Sequence, residues 1–442
     1  MAQDPQFAAN FTTRFGAYIN PLPEETSVRN FLKFDQRAKV GDQFKYPIQG
    51  AFSHGITPIS GGSVSSTLNG ARSGVQLTAS LDSHLNVMQE VIGYDAILRA
   101  SNGTSKNGDA AAYWDPYDAA VYNLMFGMTF YTELELMFGT GAGSTILDDI
   151  GVVATTAVLG GTGPNYGSAT HPIVQLTSAS WSAGLFNAAG NAGTSGSGML
   201  VDIMNSAGTA TAETGVTVEA VQDPALCQVQ LFKTGSAVAV AAGQRLVPAG
   251  TFGKASVGIG GILSNTGSFA GISASSFPYW RAQRFNAAGA LTRAKLGQAC
   301  ARLKANGGAD GLVGFIHPLC LQELIEESNA QVHYVNPKEG DVRQLNADTV
   351  IFTSAVGEVT LVAHPYQKQG RAFFVEPTTA IRVGASDITM RGANGESIML
   401  ELGTQAGTEI RALSHQCALL TVPGHSLDVY GIAPTGAATS GS

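Results

Sequence analysis

The segment from Asp115 to Gly139 constrains the fold of this chain more than any other part of the sequence. Asp115 is a preferred helix N-cap, Pro116 suits the first helical position, and Gly139 is a typical helix end. The segment holds about 24 residues, which as a helix would be roughly 36 Å long. Apolar side chains form two stripes on different faces of this helix, namely Val121, Leu124, Met125 and Met128, and Tyr122, Phe126, Phe130 and Leu134. We therefore predict a helix over 115–138 that is buried on both faces and acts as a central spine.

The region before the spine predicts a long β-hairpin without a core of its own. Alternating residues enter at Gly41 and run to Ile48, a small-residue tip follows at 60–63, and alternation resumes from Gly74 to Thr78. The exposed edges of such a hairpin are tolerated mainly when a neighbour covers them. The candidate inter-subunit contacts on the hairpin are Phe52, Ile56 and Ile59.

Residues 1–40 predict an extended N-terminal arm. Its candidate contact residues are regularly spaced, and they are Phe7, Phe11 and Phe15, followed by Arg29, Lys33 and Arg37. The basic residues are four positions apart, which favours a short amphipathic helix at the end of the arm. A partly ordered terminus fits the pattern equally well. The basic side chains could contact phosphates weakly or pair with acidic residues of a neighbouring subunit.

The remaining chain divides by composition into four further parts. Residues 82–150 are expected to be helical around the spine, and 151–280 form a Gly-rich β subdomain that looks inserted. The expected strands of that subdomain are Pro172–Leu176, Gly198–Ile203, Gly215–Val221, Gln228–Phe232 and Ala237–Val240. Residues 281–432 are mixed α/β, with a helix from Thr292 to Ala305, and 433–442 form a loose tail.

Composition excludes several classes of protein. Apolar residues make up 44% of the chain, so it is not disordered, and its 54 glycines follow no collagen period. The net charge of −8 and pI of about 5.5 argue against a tight nucleic-acid binder. Glu133 and Glu135 make the most apolar stretch a poor membrane span, so we expect no membrane contact. We also expect no signal peptide, because the N-terminus lacks a basic region followed by an apolar one.

No catalytic motif is present. Four well-separated cysteines form no Cys-x-x-Cys pair, and the eight histidines show no close metal-binding spacing. Three candidates remain. The pair Asp148-Asp149 is more typical of a solvated turn than of a catalytic site. His317-Pro318 and His364-Pro365 are more typical of strand ends. We therefore expect no enzyme, no cofactor and no metal, and we interpret the chain as an assembly protein.

The order of elements resembles a known family. Its pieces are the arm, the hairpin entered by Gly41–Ile48, the spine ending at Gly139, Phe269–Ser273, Phe277–Ala282, the helix at Thr292, Gly311–Pro318, and the final stretch from Glu409 to Ile432. In this order they resemble a tailed-bacteriophage major capsid protein of the Hong Kong ninety-seven-like fold. The implied class is α+β, with an N-arm, an extended β-hairpin loop, a long spine helix, an inserted β subdomain and an α/β axial domain.

The resemblance implies a function and partners. It implies a homo-oligomer of hexamers and pentamers that closes an icosahedral shell around double-stranded DNA, with weak and non-specific DNA contact. It also implies a portal, possible decoration proteins and a virion location after assembly in the host bacterial cytoplasm. Because residues 1–40 lack a long charged helical prefix, we expect a separate scaffolding protein, and no motif predicts a lysine–asparagine crosslink.

Three alternatives remain at this stage. An encapsulin-like compartment shares the fold, but those chains are generally shorter and lack a large inserted β subdomain. A secreted β-rich adhesin or surface-layer protein fits the Gly/Ser/Thr-rich middle, but it conflicts with the missing signal peptide. An enzyme with an unfamiliar site near His317 or His364 would need a pocket with perturbed titrating groups.

Overall fold

A computed structural model describes most of the 442 residues. The described residues are 26–37, 43–53, 55–59, 69–70, 73–94, 116–139, 150–154, 170–186, 198–264, 268–308, 310–327, 349–390, 399–401 and 406–434. The expected contacts Phe7, Phe11 and Phe15, the Asp148-Asp149 pair and nearly all of the C-terminal tail lie outside these residues.

The described residues form five α-helices and twenty-one strands. The helices are α1 (Ser27–Phe31), α2 (Pro116–Phe138), α3 (Ile259–Leu263), α4 (Arg293–Ala305) and α5 (Pro318–Glu327). The strands are β1 (Lys33–Gln36), β2 (Gln43–Ala51), β3 (Val75–Asp82), β4 (Leu85–Gly93), β5 (Gly151–Val152), β6 (Ile173–Gln175), β7 (Met199–Met204), β8 (Thr211–Asp223), β9 (Gln228–Phe232), β10 (Arg245–Pro248), β11 (Ser268–Phe269), β12 (Ile272–Ser273), β13 (Gln283–Gly289), β14 (Leu312–Ile316), β15 (Thr349–Ser354), β16 (Gly357–Ala363), β17 (Arg371–Val375), β18 (Ala380–Met390), β19 (Met399–Glu401), β20 (Gly407–Leu420) and β21 (Leu427–Ile432).

Helix α2 is the predicted spine, and it ends at Phe138 just before Gly139, as the sequence predicts. It packs on a sheet in the order β1-β18-β20-β19, in which β4 also pairs with β20. Leu124 and Met128 of the helix meet Ile92, Ile410 and Ala412 of the sheet. The first apolar stripe is thus buried at Leu124 and Met128, where the helix lies over the sheet, whereas Val121 and Met125 are only half-buried.

Strands β2 and β3 form the predicted hairpin. They pair antiparallel from Gln43 opposite Asp82 to Ala51 opposite Val75, and they form a sheet of their own. A two-stranded ribbon cannot bury both of its faces, so its stability must come from what its base packs against.

The Gly-rich region contains a closed β-barrel. Six antiparallel strands follow the order β5-β10-β7-β8-β9-β6. A bridge between Val153 and Leu176 joins the two end strands, with hydrogen bonds from Thr177 N to Val152 O (2.7 Å) and from Ala154 N to Gln175 O (2.8 Å). Because the barrel is closed, it has no exposed strand edge. It therefore does not need the charged residues that protect such edges from pairing with other chains, and this segment has few of them.

The last part of the chain builds a mixed six-stranded sheet in the order β13-β21-β17-β14-β16-β15. Helices α4 and α5 pack on it through a second core that includes Leu296, Leu303 and Leu321. Thr292 caps α4 by accepting a hydrogen bond from Lys295 N (3.3 Å). The helix that the sequence places at 292–305 is therefore present.

Three expectations about secondary structure and burial are wrong, and a fourth, the arm helix, holds only in part. Residues 85–93, expected to be helical, form strand β4, because their burial alternates with a period of two. The segment 237–240 is a loop whose Val238 is buried without ladder hydrogen bonds. The arm helix stops at Phe31, because Leu32 turns to extended φ and ψ. Finally, the second apolar stripe of the spine is not wholly buried, since Tyr122 remains exposed.

Candidate assembly surfaces

The tip of the hairpin presents apolar side chains to solvent. The exposed fraction is 77% for Phe52, 86% for Ile56 and 58% for Ile59, the three hairpin residues that the sequence suggested as contacts. Large apolar side chains that are exposed together are typical of protein–protein contact sites and are uncommon on the rest of a protein surface. The structure thus brings these three candidates to one end of the hairpin.

The base of the hairpin is anchored firmly. Phe44 and Leu81 are buried against Val383, Cys417 and Leu419 of the spine-covered sheet. Further along the same face, Ala79 packs with Ile272 and Trp280, and Ser80 N donates to Ala270 O (2.9 Å). A ribbon buried at its base and exposed at its tip projects from the body as an arm.

A second exposed apolar surface lies on β4, and sequence reasoning missed it. Leu85, Val87 and Val91 are 57%, 52% and 45% exposed, and they share the outer face of the sheet. We call these three residues the β4 face. Their period-two spacing was the available signal, but the expectation of a helix over this region concealed it.

The N-terminal arm joins the body at a buried carboxylate. Glu133 of the spine is fully buried and accepts hydrogen bonds from Val28 N (2.7 Å) and Arg29 N (2.9 Å) at the start of α1. His364 lies 3.1 Å from the same carboxylate through Nε2, and its Nδ1 accepts from Tyr366 N (3.2 Å). The acceptor role of Nδ1 leaves the proton on Nε2, so His364 donates to Glu133.

The three basic candidates are separated by the structure. Arg29 pairs with Asp387 of its own chain (3.1 Å), and Arg37 pairs with Asp35 (2.7 Å). Lys33 is exposed at the start of β1. Two of the three basic side chains therefore pair with acidic residues of the same subunit. The three do not share a helix face, because only Arg29 lies in α1.

A second buried carboxyl group, that of Glu135, lies two residues further along the spine and on the opposite side of the helix. Glu135 accepts from Ser256 N (2.6 Å) and from Asn86 Nδ2 (2.6 Å). Burial raises the pKa of Glu135 to about 7, although the hydrogen bonds from Ser256 and Asn86 oppose this rise. The residue joins the spine to β4 and to the segment that returns from the barrel.

Each of the two histidines considered for catalysis is buried and hydrogen-bonded within the protein. His317 is buried at the end of β14 and accepts from Leu319 N (3.2 Å) through Nδ1, and burial lowers its pKa to about 4. His364 is engaged with Glu133. Among the described residues there is no group of side chains that could hold a metal ion, and no helix in them is long and apolar enough to cross a membrane.

The comparisons identify the fold. No family model and no curated protein matches the sequence. A chain of the cyanophage A-1(L) capsid aligns with a TM-score of 0.50 at 12% identity, over 95% of this chain and 96% of that one. Since the alignment covers both chains almost completely, this chain has the Hong Kong ninety-seven-like fold of phage capsid proteins.

Two further structures are similar at lower scores. A chain of the native GTA particle capsid aligns at 7% identity and a TM-score of 0.46, over 98% of this chain and 100% of that one. The SrpI encapsulin of Synechococcus elongatus aligns at 8% identity and a TM-score of 0.43, over 97% and 95%.

Proposed function

We propose that this protein is a major capsid protein that assembles as hexamers and pentamers into an icosahedral shell around a double-stranded DNA phage genome. The observation that carries the proposal is the hairpin, anchored at its base by Phe44 and Leu81 and exposed at its tip. A projecting apolar tip gives a subunit contact area that a rounded domain lacks, and repeated contacts accumulate as a shell closes. The fold supports the same interpretation.

The proposed contact joins the hairpin tip of one subunit to the β4 face of the next. Both surfaces are apolar and exposed in the isolated chain, and Ile56 is the most exposed residue of the pair of surfaces. In this proposal the arm covers 1–40, the hairpin 41–81, the spine region 82–150 and the tail 433–442. Residues 151–280 hold the barrel and the return to the spine-covered sheet, and 281–432 hold the α/β sheet and the final strands of the spine-covered sheet. Scaffolding, portal and decoration proteins belong to the same proposal, as does assembly in the bacterial cytoplasm.

The experiment is assembly of the purified full chain, followed by light scattering and negative-stain electron microscopy. We expect closed shells or capsomer rings for the unchanged protein and their loss in Ile56→Asp. Because Ile56 is 86% exposed, the variant should unfold at the same temperature as the original. Leu200→Asp is the matched control, since Leu200 is 55% exposed on the barrel strand β7 and should leave assembly unchanged.

Two outcomes would contradict the proposal. A chain that stays monomeric at high concentration, alone and in an extract of infected cells, would exclude a shell. Equal loss of assembly in the Ile56 and Leu200 variants would remove the specific role of the hairpin tip.

An encapsulin-like compartment is the second candidate, supported by the shared fold and comparable length. The contents of particles isolated from cells decide between the two. Nuclease-protected double-stranded DNA supports the capsid, whereas an enclosed protein cargo without DNA supports the compartment.

A further inference from the structure

Strand β4 forms an edge of the sheet that the spine covers. Among the described residues it pairs with one strand, β20. Tyr94 N donates to Ala406 O (3.2 Å), and a Cβ added at Gly407 would lie 2.7 Å from the carbonyl oxygen of Ile92. The even-numbered residues therefore direct their backbone groups toward β20. Because successive residues of a strand direct these groups to opposite edges, the odd-numbered residues direct theirs to the outer edge.

The outer edge of β4 is long and uninterrupted. The register between β4 and β20 runs without a bulge from residue 85 to residue 93. No proline occurs in β4, so every residue of the outer edge has both an N–H and a C=O group. The odd-numbered residues are all exposed, and they are Leu85, Val87, Gln89, Val91 and Gly93. A long apolar edge strand of this kind is a template for pairing with another strand.

The hairpin strand β2 offers a comparison within the same chain. Among the described residues β2 also has one paired neighbour, β3. Pro47 lies in the middle of β2, and the exposed Lys45 lies two residues before it. Both residue types protect edge strands, because proline has no N–H to donate and lysine resists burial beside another strand. Strand β4 contains neither residue type.

The sequence of β4 is self-complementary when two copies are placed antiparallel about Gln89. Val87 of one copy then faces Val91 of the other, Leu85 faces Gly93, and Gln89 faces Gln89. All of these residues are odd-numbered, so their outer backbone groups meet and can form about ten hydrogen bonds. A twofold axis placed between two residues would instead oppose odd and even positions, and the even positions already bond to β20.

The side chains of β4 also suit this register. Glu90 is the one charged residue of β4, and it faces Met88 of the other copy rather than a second Glu90. The even-numbered residues keep their contacts with the spine, such as the hydrogen bond from Asn86 to Glu135 (2.6 Å). Pairing uses the backbone edge of the strand, so the side chains of the β4 face remain available to the hairpin tip.

We propose that the β4 strands of two copies pair antiparallel about a twofold axis at Gln89, which joins the two spine-covered sheets into one. The same surface serves both partners, whereas the contact of hairpin tip and β4 face uses two different surfaces. Contacts of the second kind build rings, and a twofold contact links one ring to another. The pairing itself does not require a shell, and its role as a link between rings rests on the proposed function.

The test is disulfide formation in Gln89→Cys, made in the full chain that also carries Ile56→Asp. The second substitution keeps the chain out of shells, so the result does not depend on the proposed function. The four native cysteines are buried, so they do not compete. Facing residues of a hydrogen-bonded pair have Cα atoms about 5.5 Å apart, within the range of a disulfide. With a mild added oxidant, we expect rapid formation of a linked dimer on a non-reducing gel.

Val87→Cys and Val91→Cys are the matched controls, because both positions lie on the same exposed edge. Alone, each cysteine lies about 14 Å from its own copy, so it should link at least roughly tenfold more slowly than Gln89→Cys. Mixed in equal amounts, the two variants should link to each other as Gln89→Cys links to itself. Equal self-linking of all three variants would overturn the register, and failure of both Gln89→Cys and the mixture would overturn the pairing.

A second measurement avoids cysteines. Sedimentation of the chain with Ile56→Asp should show a dimer as the concentration rises, and Gln89→Lys should weaken that dimer about fivefold, because two lysines then face each other. Gln298→Lys is the control, since Gln298 is exposed on α4 and away from β4. Both lysine variants should unfold at the temperature of the parent chain. Absence of a dimer, or equal effects of the two lysine substitutions, would contradict the proposal.

Discussion

Two buried glutamates near the end of the spine helix hold different elements in place. Glu133 accepts hydrogen bonds from two backbone N–H groups of α1 and faces His364, so both of its side-chain oxygens have donors. Glu135 receives Ser256 N and Asn86 Nδ2, both from uncharged groups. Burial of a carboxyl group without a nearby cation disfavours its charged form and raises its pKa, and this is the case for Glu135.

Stability should fall with rising pH through Glu135. Its folded pKa is raised from 4.5 to about 7, so the native state binds the proton more tightly than the unfolded state. The resulting stabilisation is fully present below about pH 4.5 and is lost as the pH rises to about 7, by an amount on the order of 3 kcal/mol. Denaturant unfolding across this window should show that slope, and Glu135→Gln should flatten it.

The exposed carboxylate of Glu358 provides the control for this measurement. Glu358→Gln should leave the slope as it is in the original protein. A Glu135→Gln variant with an unchanged slope would show that another group causes the pH dependence.

Removing Glu133 should release the arm from the body. Glu133→Ala leaves two backbone N–H groups and His364 buried without their acceptor, at a cost of about 3 kcal/mol or more. Trypsin should then cut faster after Arg29 and Lys33, which gel electrophoresis and mass spectrometry can follow. The exposed control Glu358→Ala should not alter cleavage, and equal cleavage of all three proteins would refute this role for Glu133.

At the scale of elements, the end of the spine is crossed closely by the chain that returns from the barrel. Gly258 N donates to Gly139 O (2.8 Å), and Ala418 N donates to Val257 O (2.8 Å), so the returning segment lies between helix and sheet. A side chain at Gly258 would overlap the carbonyl oxygen of Glu135. The absence of a Cβ here lets the barrel and the spine share one core.

Gly258→Ala should therefore destabilise the protein strongly. The added Cβ meets backbone atoms rather than a movable side chain, so we expect a loss of about 3 kcal/mol in the free energy of unfolding. Gly297→Ala in helix α4 is the matched control, since open space surrounds its Cβ position and alanine should stabilise the helix by about 0.5–1 kcal/mol. Denaturant unfolding of both variants checks this, and similar effects of the two changes would contradict the steric argument.

At the scale of the whole molecule, one core joins three structural parts. Leu136 and Phe138 of the spine, Leu246 of the barrel and Phe373 of the α/β sheet belong to a single apolar cluster. The hairpin is the exception, because its tip lies outside every core described. A body with one shared core and an exposed hairpin tip is suited to contacts between copies.

Charge at this scale predicts weak DNA binding. The net charge is −8, and Arg29, Arg284 and Arg371 already face Asp387 or Asp428 within the subunit. Unassembled protein should not retard a DNA duplex at physiological salt below about 10 µM, the range of non-specific binders. Gel retardation at submicromolar protein would contradict this, and Lys33→Gln tests whether the exposed lysine contributes to any binding seen at low salt.

Local signals in the sequence were sufficient for the spine and the hairpin. The Asp115-Pro116 start and the Gly139 stop act within a few residues, as does the alternation on both sides of the hairpin. Exposure of Phe52, Ile56 and Ile59 also followed from a ribbon too thin to bury them. Such features depend on neighbours along the chain, so they can be inferred before any tertiary structure is known.

The sequence by itself thus determined the spine helix, the hairpin and the absence of a recognisable catalytic motif. Only the tertiary structure decided that β4 is a strand on β20, that the Gly-rich strands close into a barrel, and that Glu133 and Glu135 are internal anchors. It also decided that Arg29 pairs with Asp387, 358 positions away in the chain. The physical reason is that these features depend on partners distant in sequence, whose approach is set by packing and backbone hydrogen bonds rather than by local propensity.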